Sequence, residues 1–165
     1  MKLNIGCGRD IRKGYVNLDA EKLAGVDKVH DLDKFPYPFK ANTFEKVRCY
    51  GILEHVDNLV KVMNEIHRIC KKNAKIEIMG PHYHHITTFA DPTHKRGFTL
   101  DTFDYFTSEH PYSFYTTARF KILKKELIPS PLGRFVPFKR FLLNKIAIVL
   151  GGFVQSIYFE LKVIK

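Results

Sequence analysis

The chain has 165 residues, 45% of them apolar, which is enough to bury the core of one compact domain over residues 1–165. Three cysteines without paired spacing, Cys7, Cys49 and Cys70, exclude a disulfide framework and a cysteine zinc site. The formal charge of +10 is concentrated in residues 119–145, where eight basic side chains face one acidic one. Such a patch can attract nucleic acid, anionic lipid or an acidic glycan, or can be a solvated basic face.

Short apolar or β-branched runs alternate with helix signals in the first half of the chain, which predicts an α/β sheet with buried parallel strands. The predicted strands are 2–5, 15–18, 28–30, 46–50 and 75–79. The clearest helix follows Asp57, a suitable N-cap, and its apolar residues recur at spacings of three and four until near Asn73. The start of the chain lacks the long apolar segment of a signal peptide, so a cytoplasmic location is expected.

The second half begins with a loop rich in His, Thr and Pro over residues 80–98, and its length predicts a functional lid. A short helix is predicted from Leu100. Strand patterns resume at 114–128 and 155–165, and the last strand is expected to be antiparallel, at the sheet edge or paired with 114–128.

An insertion at residues 129–152 separates these two strands and carries a basic, apolar helix pattern over 138–150. Its apolar run at 146–150 is far shorter than the about 20 residues that cross a bilayer. Two interpretations follow: peripheral contact with an anionic membrane or a lipid-linked substrate, or an amphipathic helix packed on the sheet.

The stretch "LNIGCGRDIRKGYVNLD" joins a strand, a glycine turn and a second strand that ends in an acid. A dinucleotide fingerprint requires a third glycine where this chain has Ile11, a helix that faces the pyrophosphate, and an acid about 20 residues further on. Asp19 comes too early for that motif, and no room is left for the helix. The missing helix favours the phosphate-free S-adenosylmethionine over a dinucleotide; the alternative is a plain turn between strands.

Later segments carry a resemblance. Together with "LNIGCG" and "YVNLD", the stretch "VHDLDKFPYPFKANTFEKVRCYGILEHVDN" resembles class I S-adenosylmethionine-dependent methyltransferases of the small-molecule or glycan type (type 11-like), over roughly residues 2–106. The resemblance implies an enzyme with S-adenosyl-L-methionine as cofactor. It also implies a Rossmann-like three-layer α/β sandwich whose mostly parallel sheet has an antiparallel C-terminal strand, here with the first helix shortened or absent.

The same resemblance implies the cofactor-binding residues of the glycine loop. Gly6, Cys7 and Gly8 would line the methionine portion. Asp19 would hold the ribose hydroxyls, since a carboxylate accepts two hydrogen bonds at once. Asn4 stands where many members have an acid, so it can form hydrogen bonds there but supplies no charge.

Further implied positions lie at the ends of the third and fourth strands: Asp31, Leu32, Tyr50 and Gly51. The first two would bracket the adenine, and the second two would pass under the methionine end. Glu54 and His55 would follow at the mouth of the site, where they either face the substrate or cap the next helix, and His55 is counted among the cofactor-binding residues.

The acceptor side is implied by "HYHHITTFADPTHKRGFT", which resembles the segment after the fifth strand in methyltransferases linked to surface polysaccharide synthesis. Methyl transfer to a hydroxyl needs a base near the oxygen. His94, aided by Asp91, is the first candidate and His85 the second. The alternative is a turn in which Asp91 and Thr93 cap the backbone.

The histidines and the acid of residues 82–94 would also suit a divalent ion, but their spacings match no established zinc pattern, so no metal site is expected. The sequence thus predicts O- or N-methylation of a small-molecule or glycan-like acceptor. The alternatives are an RNA methyltransferase and a non-catalytic cofactor-binding or membrane-surface adaptor. Nucleic acid is the less favoured partner because no RNA-binding module is recognisable. A lid or a homodimer would close the side that the missing helix leaves open.

Overall fold

A seven-stranded mixed sheet forms the centre of the fold, in the order β3-β2-β1-β4-β5-β7-β6. The computed structural model describes residues 1–135 and 152–165. The strands are β1 (Lys2–Ile5), β2 (Val16–Asp19), β3 (Lys28–Val29), β4 (Phe44–Tyr50), β5 (Cys70–Pro81), β6 (Phe120–Pro129) and β7 (Val154–Val163). The first five are parallel, and β7 runs antiparallel to both β5 and β6. The predicted α/β sheet with an antiparallel C-terminal strand is confirmed.

The helices are fewer than the strands within the described residues. They are α1 (Leu59–Ile69), α2 (Thr87–Ala90) and three short 3-10 helices at Thr102–Phe106, Ser113–Tyr115 and Gly133–Phe135. The first 3-10 helix takes the place of the helix predicted from Leu100. The helix pattern over 138–150 lies outside the described residues. No described helix is long and apolar enough to cross a membrane.

Helix α1 differs from its prediction at both ends. Its N-cap is Asn58, whose side chain accepts a hydrogen bond from the Lys61 amide, and not Asp57. Asp57 is already engaged, because its backbone amide donates to Asp33 and its carboxylate pairs with Lys95. The helix ends at Ile69 rather than near residue 73, since β5 begins directly at the next residue.

One face of the sheet carries the core. Strand residues such as Val47, Ile76 and Phe159 are fully buried there and share a face across neighbouring strands. Helix α1 covers this face with four buried apolar side chains: Val62, Met63, Ile66 and Ile69. Phe103 of the first 3-10 helix packs edge-on against Phe159, with ring centroids 4.8 Å apart. Burial of these side chains is the main stabilising contribution to the fold.

The opposite face of the sheet is polar and basic. The register aligns five lysines in one row across five strands: Lys2, Lys46, Lys75, Lys162 and Lys121. Like charges side by side on a sheet are destabilising. Two glutamates in the next row offset part of this repulsion, with Glu77 2.7 Å from Lys46 and Glu160 2.9 Å from Lys75.

The crossover from β1 to β2 contains no helix, as predicted, and runs through residues 6–15 alone. Parallel strands usually need a crossover of a dozen or more residues, commonly helical. Here the buried Asn17 organises the loop: its side-chain oxygen accepts from the Arg12 amide and from Asn4, and its amide group donates to the carboxylate of Asp27. Arg48 of β4 secures the same loop through an ion pair of 2.8 Å with Asp10.

We expect Asn17→Ala to lower the free energy of unfolding by about 2–4 kcal/mol, because it removes the hydrogen bonds of the buried Asn17 side chain to Asn4, Arg12 and Asp27. Urea denaturation followed by circular dichroism measures the change. The exposed Lys13→Ala in the same loop is the control and should stay within about 0.5 kcal/mol of the wild type. Equal stability of the two variants would contradict the role assigned to Asn17.

Candidate functional site

A cleft of about 180 Å³ lies at the carboxyl ends of β1 and β2 and against the turn that follows β4. Strand order reverses beside β1, which is the position where open α/β sheets bind their ligands. The cleft is lined by Gly6, Asp19, Ala20, Asp31, Leu32, Asp33, Ile52, His55 and Val56. Five of these were predicted to bind the cofactor: Gly6, Asp19, Asp31, Leu32 and His55.

Gly6 is required by both backbone conformation and packing. Its φ is +62°, and a Cβ at this position would lie 2.3 Å from a side-chain carbon of Ile52. A glycine is therefore needed for the loop to approach the turn after β4. Gly8 also has a positive φ, of +49°, but a Cβ there would meet open space.

Asp19 is held in place at the end of β2. One carboxylate oxygen accepts from the Gly8 amide at 2.7 Å and the other from the Glu21 amide at 3.0 Å. Each oxygen keeps further acceptor capacity, so the carboxylate can still receive two ribose hydroxyls. The geometry suits the role that the sequence predicted for this residue.

Asp33 was not predicted as a site residue, although it lines the cleft. Its carboxylate accepts from the backbone amides of Asp57 and Asn58 and so connects the end of β3 to the start of α1. A sequence signal existed in the acid-Leu-acid run at residues 31–33, but the partner lies 24 residues away.

The other predicted cofactor residues do not line this cleft. Asn4 is buried, where it donates to Asp10 and Asn17 and accepts from Arg48. Tyr50 lies under the Arg48 guanidinium, 3.7 Å from the ring centroid.

Cys7, Gly8 and Gly51 adjoin the cleft through the backbone. Cys7 is buried, and desolvation raises the pKa of its thiol, so it is a poor nucleophile. Gly51 donates its amide to the carbonyl of Met79 at 2.8 Å, which holds the turn after β4 against β5.

The predicted lid is anchored beside the cleft. A bridge between His82 and Phe98 closes the base of the segment. At its second end the Lys95 amide donates to the Glu54 carbonyl at 2.9 Å, and Arg96 donates to carbonyls of the turn after β4, including that of Leu53 at 3.1 Å. The segment that contains Asp91 and His94 is thereby held beside the cleft.

His94 and Asp91 lie together, as predicted. The Nδ1 of His94 is 3.0 Å from the Thr88 carbonyl, so this nitrogen carries the proton and Nε2 keeps a lone pair. Nε2 is 3.8 Å from a carboxylate oxygen of Asp91. Hydrogen bonds from the hydroxyl and the amide of Thr93 lower the pKa of Asp91, which is therefore ionised at neutral pH. The His94 ring meets the ring of His55 edge-on at 4.6 Å.

His85 has a different environment. The Thr87 amide donates to its Nδ1 at 3.3 Å, so Nε2 of His85 carries the proton. With His84, Ile86, Phe89 and Gly152 it lines a second, wider cleft of about 460 Å³. Ile86 and Phe89 are 78% and 81% exposed there. His85 is thus placed to contact a ligand rather than to accept a proton through Nε2.

Glu54 is unusual in this site because its carboxyl group is buried. The sequence predicted only that it lies at the mouth of the cofactor site. Glu54 is 3% exposed, and its Oε2 has no hydrogen-bond partner among the described residues. Burial raises the pKa of its carboxyl group. One of its carboxylate oxygens lies within 4.8 Å of a ring nitrogen of His94, and this proximity depends on the fold of the lid, which no local pattern reveals.

Comparisons with known proteins agree with this geometry. Residues 3–78 match the family of the methyltransferase domain. A methyltransferase dependent on S-adenosylmethionine from Archaeoglobus fulgidus has a similar structure, with a TM-score of 0.69 at 17% identity, over 98% of this chain and 85% of that one. A second such enzyme, from Mesorhizobium loti, gives a TM-score of 0.59 at 13% identity, over 98% and 89%.

A sequence relative is an uncharacterised protein of Methanocaldococcus jannaschii, 50% identical over 42 residues. The matched part spans 26% of this chain and 18% of that protein. The description of that protein states no activity.

The strand order and the cleft at the switch point agree with the methyltransferase domain that residues 3–78 match. The whole chain has the fold of S-adenosylmethionine-dependent methyltransferases.

We expect Gly6→Ala to abolish measurable binding of S-adenosylmethionine, because the new Cβ would push the loop away from Ile52. Isothermal titration measures the affinity. Gly8→Ala is the matched control, with the same added methyl group in open space and a smaller loss of affinity. Circular dichroism of both variants separates loss of the site from loss of the fold.

A pH dependence follows from His82, since desolvation in its buried position lowers the pKa to about 4. The unfolded chain binds a proton at this histidine near pH 6.5, and the folded protein does so only near pH 4. The contribution of the neutral His82 to the free energy of unfolding is therefore fully present above pH 6.5 and is lost as the pH falls towards 4. When the pH falls from about 7.5 to about 5, the free energy of unfolding of the wild type should drop by about 2 kcal/mol more than that of His82→Asn. Urea titrations at both pH values measure this difference, and identical losses would contradict it.

Proposed function

We propose that the enzyme methylates a hydroxyl or amino group of a small-molecule or glycan-like acceptor at the edge of the cofactor cleft where His55 and His94 meet. The observation that carries this proposal is the Nε2 lone pair of His94, on a ring in contact with a residue that lines the cleft. A base is needed at that place because the acceptor must lose its proton as the methyl group arrives.

The proposed reaction is a direct displacement. The acceptor oxygen or nitrogen forms a bond to the methyl carbon, the carbon–sulfur bond breaks, and its electron pair stays on sulfur, which becomes a neutral thioether. The acceptor's proton passes to Nε2 of His94, and the nearby Asp91 carboxylate stabilises the resulting imidazolium. Alignment of donor and acceptor supplies most of the acceleration.

Recognition of the acceptor is assigned to the wider cleft beside His85. Its volume of about 460 Å³ lies in the range of ligand sites. The exposed Phe89 offers an apolar ring for the face of a sugar, and His85 offers a ring nitrogen for hydrogen bonds to its hydroxyls.

A peripheral position on an anionic membrane is a further part of the proposal, for a protein that resides in the cytoplasm. The 3-10 helix Gly133–Phe135 lies within the first part of the insertion, and its Phe135 is 85% exposed beside Arg134. An exposed aromatic ring next to a cation is typical of interfacial segments. Closure of the site by a homodimer stays a prediction.

His94→Ala should lower kcat by at least about 100-fold with a hydroxyl acceptor, because the general base is lost while the cofactor cleft is intact. Production of S-adenosylhomocysteine against a panel of sugars and phenols measures the rate, and titration measures the cofactor affinity, which should change little. Asp91→Asn should have a smaller effect. A normal rate in His94→Ala would remove the residue from the mechanism, and failure of the folded wild type to bind millimolar cofactor would contradict the function itself.

A further inference from the structure

Three side chains converge at the acceptor edge of the cofactor cleft: Glu54, His55 and His94. Each offers one ligand atom, and these three atoms lie within 4.8 Å of one another. Among the described residues no other group of three or more His, Cys, Asp or Glu side chains meets this condition. The set comprises two imidazoles and one carboxylate, which is a common ligand set of catalytic metal sites.

Hydrogen bonds leave an unused lone pair on each imidazole. The Thr93 hydroxyl donates to Asp91 at 2.6 Å, so its oxygen accepts from Nδ1 of His55 at 2.9 Å and leaves the lone pair on Nε2. Nδ1 of His94 likewise donates to the Thr88 carbonyl. Metal-binding histidines almost always donate their other ring nitrogen to an oxygen in this way.

The carboxylate completes the set. Glu54 is almost fully buried, and its Oε2 has no partner among the described residues. A buried carboxylate oxygen without a hydrogen bond is costly and uncommon in native proteins. A cation between the Glu54 carboxylate and the two imidazoles would serve all three groups at once.

We propose that Glu54, His55 and His94 bind one divalent first-row transition-metal cation, such as Zn²⁺ or Co²⁺, at the acceptor edge of the cofactor cleft. Mg²⁺ does not fit, because it prefers ligand sets made of oxygen. Metal–nitrogen bonds of about 2.1 Å keep two ligands of one ion at most about 4.2 Å apart, so small side-chain rotations suffice to close the set.

The inference rests on the proposed function and specifies how His94 takes part in it. With the ion in place, His94 is a ligand, and the acceptor oxygen completes the coordination. The ion then stabilises the oxyanion, as Lewis-acid metals do, and the acceptor's proton passes to water at the open side of the cleft. His94 therefore acts as the base, as proposed above, only in the metal-free enzyme, and in the metal-loaded enzyme it promotes proton loss through the ion.

The test uses the full chain without an affinity tag, dialysed against a chelator. Titration with Co²⁺ should give one saturable site with visible d–d absorption, and Zn²⁺ should displace the Co²⁺ while Mg²⁺ should not. Glu54→Gln, which keeps the side-chain volume, and His94→Ala should each weaken Co²⁺ binding by at least about tenfold. Thermal melts provide a second readout, since Zn²⁺ should raise the Tm of the wild type and not that of Glu54→Gln.

His110→Ala is the matched control, because this histidine lies in contact with Tyr105 and Tyr112, outside the proposed ligand set. It should bind Co²⁺ like the wild type. Equal binding by all variants would indicate adventitious surface sites and would overturn the proposal, as would the absence of saturable binding. If Co²⁺ does not bind and methyl transfer still depends on His94, the metal site is wrong and the proposed function stands.

Discussion

The polar network around Asn17 is the constraint on which the rest of the site depends. Ten residues must cross from β1 to the neighbouring parallel β2 without a helix to satisfy their backbone groups. The Asn17 side chain forms hydrogen bonds with the backbone amide and carbonyl of Arg12 and accepts another from the Asn4 side chain. Arg48 binds the loop from β4 through its ion pair with Asp10. Side-chain hydrogen bonds thus stabilise the glycine loop here, whereas a helix usually does so in the crossover between parallel strands.

The position of the cofactor cleft follows from that loop. Gly6 packs directly on Ile52, and the Gly8 amide two residues later donates to the Asp19 carboxylate. The loop, the acid and the turn after β4 therefore form one wall. The polar, basic face of the sheet lies opposite the core. Ion pairs such as that of Lys46 with Glu77 partly neutralise its charges.

The acceptor side depends on a second set of long-range contacts. Arg96 and the Lys95 amide donate to carbonyls of the turn after β4, and Thr93 links that turn to Asp91 through His55. These contacts bring His94 beside His55, which fixes one imidazole against the other. The proposed catalytic role of His94 and the proposed metal site both require this docking of the lid.

The sequence by itself predicted the order of the strands and the missing first helix, because these depend on periodicity and on the spacing within one short loop, and the family resemblance implied the roles of Gly6 and Asp19. The strand predicted from residue 114 begins only at Phe120, because a 3-10 helix occupies Ser113–Tyr115. The sequence missed Asn58 as the N-cap, since only the partners of Asp57 show why that residue is occupied elsewhere. Only the tertiary structure decided which histidine keeps a free Nε2 and that Glu54 joins the pair. The residues that meet there are about 40 positions apart, and the contacts of a docked lid are not encoded in any local pattern.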